Sequence, residues 1–210
     1  KQKTAYEMLR SLVGSEMCIR DRDKGFMQSA YDAVMAGDYE AAIVFYDKAI
    51  ESKSDFAPAY YGRGIAYAHL GKIDESIKDL LEAVKYDPNM EQAYFALGWN
   101  YITNSKYEEA IRNLDIAIKL KDEVPEFYYA RGIAYHFKGD RDKALIDFSK
   151  ALELNPDYAL ALYARGALHK EQGRFSQAIA DLEKYLNLRG NQDGYEAEVK
   201  RLIDEAKEGK

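Results

Sequence analysis

The chain has 210 residues, 47% of them hydrophobic and 31% charged, with a formal net charge of −6, the balance of a soluble globular protein. No apolar run approaches the roughly 18 residues that a membrane-spanning helix needs, and an acidic chain lacks the Lys/Arg excess that neutralises a phosphate backbone, so neither a membrane span nor a nucleic-acid partner is expected. The single cysteine, Cys18, supports neither a disulfide framework nor a Cys-rich metal site and leaves the redox compartment open.

The chain opens with KQKTAYEMLRSLVGSEMCIRDR, residues 1–22, which share no period with the rest of the chain. This stretch lacks the continuous apolar core of a signal peptide. Extending the downstream period backwards would put Met8 and Ser15 where the later copies favour Ala. LVGSEMCIRD is the translation of CTC GTG GGC TCG GAG ATG TGT ATA AGA GAC, and KQKTAYE is the translation of AAG CAG AAG ACG GCA TAC GAG. Both strings resemble parts of one transposon-type sequencing-library adapter, in one frame and in the right order. Residues 1–22 are therefore expected to be adapter-derived, with native sequence starting at Asp23 and Cys18 carrying no function. From there on the chain holds 25 basic and 33 acidic residues. A cytoplasmic location is favoured, and a periplasmic or lipid-anchored one stays open because on this reading the native start is missing.

From Asp23 the sequence is periodic. Ala30, Gly64, Gly98, Gly132 and Gly166 are spaced 34 residues apart and define position 8 of five copies, 23–56, 57–90, 91–124, 125–158 and 159–192. Position 11 reads Ala33, Tyr67, Tyr101, Tyr135 and His169. Position 15 reads Gly37, Gly71, Ser105, Gly139 and Gly173, position 20 reads Ala42, Ser76, Ala110, Ala144 and Ala178, and position 27 reads Ala49, Ala83, Ala117, Ala151 and Tyr185. Each copy contains two amphipathic stretches of about a dozen residues with apolar positions three and four apart. Gly at position 15 suits a helix end. Pro58 and Pro125 suit helix starts, and Pro88 and Pro156 stop second helices. The final stretch, 193–210, places Tyr195, Val199, Leu202, Ile203 and Ala206 on one predicted helical face and reads as a cap on the last copy.

The order aromatic, Gly, Tyr, Ala and Pro on a 34-residue grid resembles the tetratricopeptide repeat (TPR) family. The segments YYGRGIAYAHLGKIDESIKDLLEAVKYDP and YYARGIAYHFKGDRDKALIDFSKALELNP carry the resemblance best. It implies an all-α fold, a right-handed α-solenoid of helix-turn-helix repeats closed by a C-terminal capping helix, since one hairpin cannot bury its apolar face alone. The resemblance also implies a concave groove lined by positions 2, 5, 9, 12 and 13 of the first helices. Here those positions supply Met27, Tyr31, Tyr61, Ile65, His69, Phe95, Trp99, Tyr129, Ile133, His136, Phe137 and Tyr163, with Lys170 and Glu171 adding a polar patch. Aromatic side chains grip a peptide with large contact area at little entropic cost. The co-chaperones of this family that hold a Glu-Glu-Val-Asp tail need Lys and Asn at positions 5 and 9, and this chain has neither there.

Two further columns vary together. Position 7 reads Ser29, Arg63, Leu97, Arg131 and Arg165, and position 23 reads Phe45, Asp79, Asn113, Asp147 and Asp181. Arg occurs only where Asp does, which predicts the structural pairs Arg63–Asp79, Arg131–Asp147 and Arg165–Asp181. The histidines His69, His136 and His169 have no ligand or triad spacing. No Gly-rich phosphate loop is present, and no cofactor, metal or catalytic residue is expected. The leading expectation is a non-enzymatic interaction scaffold for a peptide or partner helix. The alternatives are a regulatory or targeting domain of a larger enzyme or secretion-pathway protein, and a self-associating structural protein. The chain is expected to be a monomer or, in the last case, a weak homodimer through repeat 1, whose first helix carries the apolar Met27, Tyr31, Val34 and Met35.

Overall fold

The 34-residue period resolves into helix pairs in the computed structural model, which describes residues 21–189 and 194–209. Contacts divide the chain into two units, 1–120 and 121–210. The described part of the first unit holds three pairs: α1 (Asp21–Met35) with α2 (Tyr39–Ser52), α3 (Ala57–His69) with α4 (Ile73–Tyr86), and α5 (Glu91–Thr103) with α6 (Tyr107–Leu120). The second unit holds α7 (Pro125–Lys138) with α8 (Arg141–Leu154), α9 (Ala159–Glu171) with α10 (Phe175–Arg189), and a single helix, α11 (Glu196–Lys207). No strand occurs among the described residues. α1 starts at Asp21, two residues inside the stretch read as adapter. Residues 1–20 of that stretch, with Cys18, lie outside the described residues.

In the four pairs with Gly at position 8, the first and second helices meet through a missing side chain. A Cβ on Gly98 would lie 2.5 Å from Leu114 Cγ, and one on Gly132 would lie 2.6 Å from a Phe148 ring carbon, so position 8 is Gly because position 24 fills its space. The turn between them needs a left-handed residue. Gly37, Gly71, Gly139 and Gly173 have φ of 76°, 72°, 93° and 71°, and Ser105 adopts 57° at the same position.

Within each unit, successive pairs are joined by an apolar plug. The residue before each first helix is Phe56, Met90, Val124 or Tyr158, and none of them makes a side-chain capping hydrogen bond. Phe56, Met90 and Tyr158 are buried instead. In the first unit, Phe56 shares a cluster with Met27, Ala30, Ala42 and Tyr46, and Met90 shares one with Tyr61, Ile65, Leu80, Ala93 and Leu97. A buried hydrogen bond from Asn100 Nδ2 to Ser76 Oγ, 2.7 Å, also ties α5 to α4. In the second unit, Ala144, Leu145, Phe148 and Leu168 form the corresponding core.

α11 lies against α10 and α9. Val199, Ile203 and Ala206 are buried, the three-and-four spacing of one helical face. Tyr195, expected on that buried face, instead precedes the helix at 58% exposure and faces Tyr163 at 6.3 Å between ring centroids.

Candidate functional site: an aromatic trough on the first helices

Helix geometry puts positions 5, 9, 12 and 13 on one stripe of each first helix. The two units use that stripe differently. In the first unit, Met27 and Tyr61 were expected in the groove but are 2% and 1% exposed. They are core residues, because the apolar plugs Phe56 and Met90 join their clusters. Ile65 is buried as well. Tyr31, Phe95 and Trp99 are half-buried, with Phe95 and Trp99 edge to face at 6.3 Å. His69 is exposed and stacks on Tyr39 at 4.4 Å. Of the apolar α1 face, Met35 remains exposed, whereas Tyr31 and Val34 are half-buried.

In the second unit the stripe opens into clefts. Tyr129, Ile133, His136 and Phe137 of α7 face Tyr163, Ala164, Ala167, Leu168 and Glu171 of α9, with Phe148 of α8 completing the wall of a cleft of about 280 Å³. A second cleft of about 580 Å³ is lined by Tyr129, Leu160, Tyr163, Tyr185, Arg189 and Tyr195. Tyr129 and Tyr163 line both, so the two form one trough along α9. Tyr158 meets Tyr129 edge-on at 5.3 Å. Burial pushes the Tyr129 phenol up to about 12 and raises that of Tyr163 as well.

Polar groups at the trough have distinct states. Lys170 donates to Glu205 of α11 at 2.5 Å, and the hydrogen bond from Lys170 holds the Glu205 carboxyl below its usual range. Arg201 of α11 donates to Glu198 and Glu205, 2.7 Å each. Glu171 accepts from Arg141 Nε at 3.3 Å. His136 Nδ1 is buried in the cleft wall with no hydrogen-bond partner. His169 is buried at position 11, where the second, third and fourth copies carry Tyr. Burial lowers its pKa, as for a neutral core imidazole. Sequence reasoning missed Leu160, Tyr185 and Arg189 on this surface. Leu160 is at position 2, a groove position that was available to read. Tyr185 and Arg189 come from a second helix.

The arginine columns form forks. Arg63 donates through Nε and Nη2 to Asp79 at 2.6 and 2.7 Å, and through Nη1 to Asp47 of α2 at 2.5 Å. Arg131 grips Asp147 at 2.8 and 2.7 Å. Arg165 grips Asp181 at 2.7 and 2.8 Å and reaches Ser149 Oγ of α8 at 3.2 Å. Arg63 and Arg165 thus bind an Asp within their own pair and a second-helix residue of the preceding pair. In the third copy, Leu97 and Asn113 stand in place of the pair. Leu97 is fully buried, and Asn113 donates to the Glu109 carbonyl.

Among the described residues, no group of three or more His, Cys, Asp or Glu side chains could hold a metal ion. No helix among them is long and apolar enough to cross a membrane.

Paired helices stacked through small residues, with an aromatic trough on the first helices, define a helical-repeat protein of the interaction class. Family models agree. The tetratricopeptide repeat matches residues 57–90, 125–158 and 148–180, and the TPR repeat matches 34–71 and 100–139. The chain belongs to the tetratricopeptide repeat family. Solved structures with a similar fold include MamA from Desulfovibrio magneticus RS-1, at 20% identity and TM-score 0.76, over 84% of this chain and 99% of that one. TTC0263, a thermophilic TPR protein of Thermus thermophilus, is similar at 20% identity and TM-score 0.69, over 86% and 98%. YrrB, a TPR protein with an unusual peptide-binding site, is similar at 22% identity and TM-score 0.68, over 97% and 99%. No curated protein matches the chain's sequence.

Proposed function

We propose that this chain is a non-enzymatic protein-interaction module that holds a peptide or partner helix in the trough between α7 and α9. The TPR family as a whole serves protein–protein interaction, and the finer reading rests on one observation. Tyr129, Ile133, Phe137 and Tyr163 line an open cleft, where the equivalent Tyr61 of the first unit is sealed in the core. Open aromatic concavities with a few polar groups are what peptide sites are made of. The similarity to YrrB, itself described as peptide-binding, points the same way. The partition that goes with this reading is five repeats, 23–56, 57–90, 91–124, 125–158 and 159–192, followed by a cap over 193–210.

The test is selection of binders from a random peptide library displayed on phage, using the full chain as bait. Selected peptides should lose about tenfold or more in affinity on Phe137→Ala and on Tyr163→Ala. Peptides indifferent to both changes would place the binding surface elsewhere and defeat the reading.

A further inference from the structure

The trough has charged residues only at its rims, and the two rims differ in sign. This step rests on the peptide reading above and adds the chemistry and direction of the occupant. Among the described residues, Glu171 is the one charged side chain lining the first cleft, at the C-terminal end of α9. Arg189 is the one charged side chain lining the second cleft, which reaches Leu160 near the start of α9. The helix ends reinforce both signs. The last-turn carbonyls of α9 add to the negative sign at Glu171, and its first turn, which holds no acidic residue, adds positive N–H groups at the opposite end. Lys170, the nearest cation in sequence, is tied to Glu205 and does not neutralise Glu171. The contact from Arg141 to Glu171 is 3.3 Å, with the two side chains 57% and 46% exposed, so a partner can displace it at little cost. His136 Nδ1, unpartnered in the same cleft, can take one further hydrogen bond.

We infer that the trough takes its peptide in one direction, with a Lys or Arg side chain reaching Glu171 and the apolar residues laid over Tyr129 and Tyr163 toward Arg189. The methylenes of that basic side chain lie along Phe137 and Ile133, while its cation is held by the carboxylate and the neighbouring aromatic faces. An acidic peptide in the same place would set like charges together at Glu171, which sets the specificity.

The experiment uses phage-selected peptides, resynthesised and titrated against the full chain. The expected peptides carry a basic residue at a constant spacing from an apolar pair. Glu171→Lys should weaken them by about tenfold and Glu171→Gln by about threefold, and added salt should weaken wild-type binding more than binding to Glu171→Gln. Peptides made with the same residues in reversed order should bind at least tenfold more weakly. Selected peptides that are lost on Tyr163→Ala but carry no basic residue, or that bind Glu171→Lys equally well, overturn this inference and leave the groove reading standing. Peptides untouched by Tyr163→Ala and Phe137→Ala overturn both. Should Glu171→Lys fail to fold by circular dichroism, the Glu171→Gln and reversed-peptide results decide alone.

Discussion

Tyr61 and Tyr163 occupy the same place in their repeats, yet one is core and the other is surface. Tyr61 is 1% exposed, in a cluster completed by Met90 and Ala93 of the following pair. Tyr163 instead has the C-terminal segment beside it, with the exposed ring of Tyr195 and the charged Glu198 and Arg201 of α11 in its neighbourhood. Tyr129 is intermediate, with Tyr158 against one edge. Position 5 therefore has no fixed role. How far that aromatic is covered depends on what the following helix pair or cap packs against it, fully for Tyr61, partly for Tyr129 and least for Tyr163.

The largest expected effect tests this directly. Tyr61→Ala should cost about 3–5 kcal/mol of stability, the range for removing a large buried ring. Tyr163→Ala should cost about 1 kcal/mol and act on peptide binding instead. Thermal unfolding of both variants beside the peptide titration reads the two roles. Equal losses of stability would mean that position 5 is core in both units.

The arginine forks give a second comparison. Arg63 is 19% exposed and holds two carboxylates, Asp79 and Asp47, whereas Arg165 holds Asp181 and the neutral Ser149 hydroxyl. Removing Arg63 leaves the nearly buried Asp79 without its fork, and Arg63→Ala should cost about 2–3 kcal/mol. Arg165→Ala should cost roughly 1 kcal/mol less, because only one carboxylate is stranded. The two variants are compared by urea denaturation, and equal midpoints would remove the contribution of Asp47. The fork replaced by Leu97 and Asn113 is in keeping with a registry device, since an apolar substitute serves at the same joint.

The helix pairs were legible because a 34-residue period repeats every local signal five times, and the Arg and Asp columns were legible because they vary together. The apolar plug was not picked out. Phe56, Met90, Val124 and Tyr158 stand where a helix start is usually sought as Ser, Thr, Asp or Asn, and a column of large apolar residues there does not look like a cap. Without that column, the period implies a trough running evenly along all five copies, with Met27 and Tyr61 in it. Met27 and Tyr61 are covered by Phe56 and Met90 at the far end of their own copies, a contact that helix periodicity alone does not reveal. Arg189 was missed for a related reason. It sits on a second helix, and the family resemblance directs attention to first helices.

Alkaline titration grades the same column more gently. The Tyr129 phenol is pushed up to about 12 by burial, against an ordinary value of 10.0. Below that ordinary value the phenol is protonated in both states, and stability does not depend on it. Between there and about 12 the unfolded chain ionises while the folded one does not. The unfolded state then binds fewer protons, and stability falls as pH rises through this window. Tyr129→Phe removes that share, so the variant should lose stability less steeply, by up to about tenfold in the folding constant per pH unit. Urea midpoints measured on either side of the window test this, and parallel declines would mean that Tyr129 ionises freely when folded.

The smallest effect concerns the third copy, which departs from the others at the turn as well as at the fork. Ser105 adopts φ of 57°, where the other four copies place glycine. A left-handed serine costs roughly 1 kcal/mol relative to glycine, and the extra freedom that glycine has in the unfolded chain takes back about half of that or more. Ser105→Gly should therefore raise stability by a few tenths of a kcal/mol, about one degree in Tm. A fall instead would mean that the serine side chain holds the turn, and that the third copy was built around a different joint rather than a weaker version of the common one.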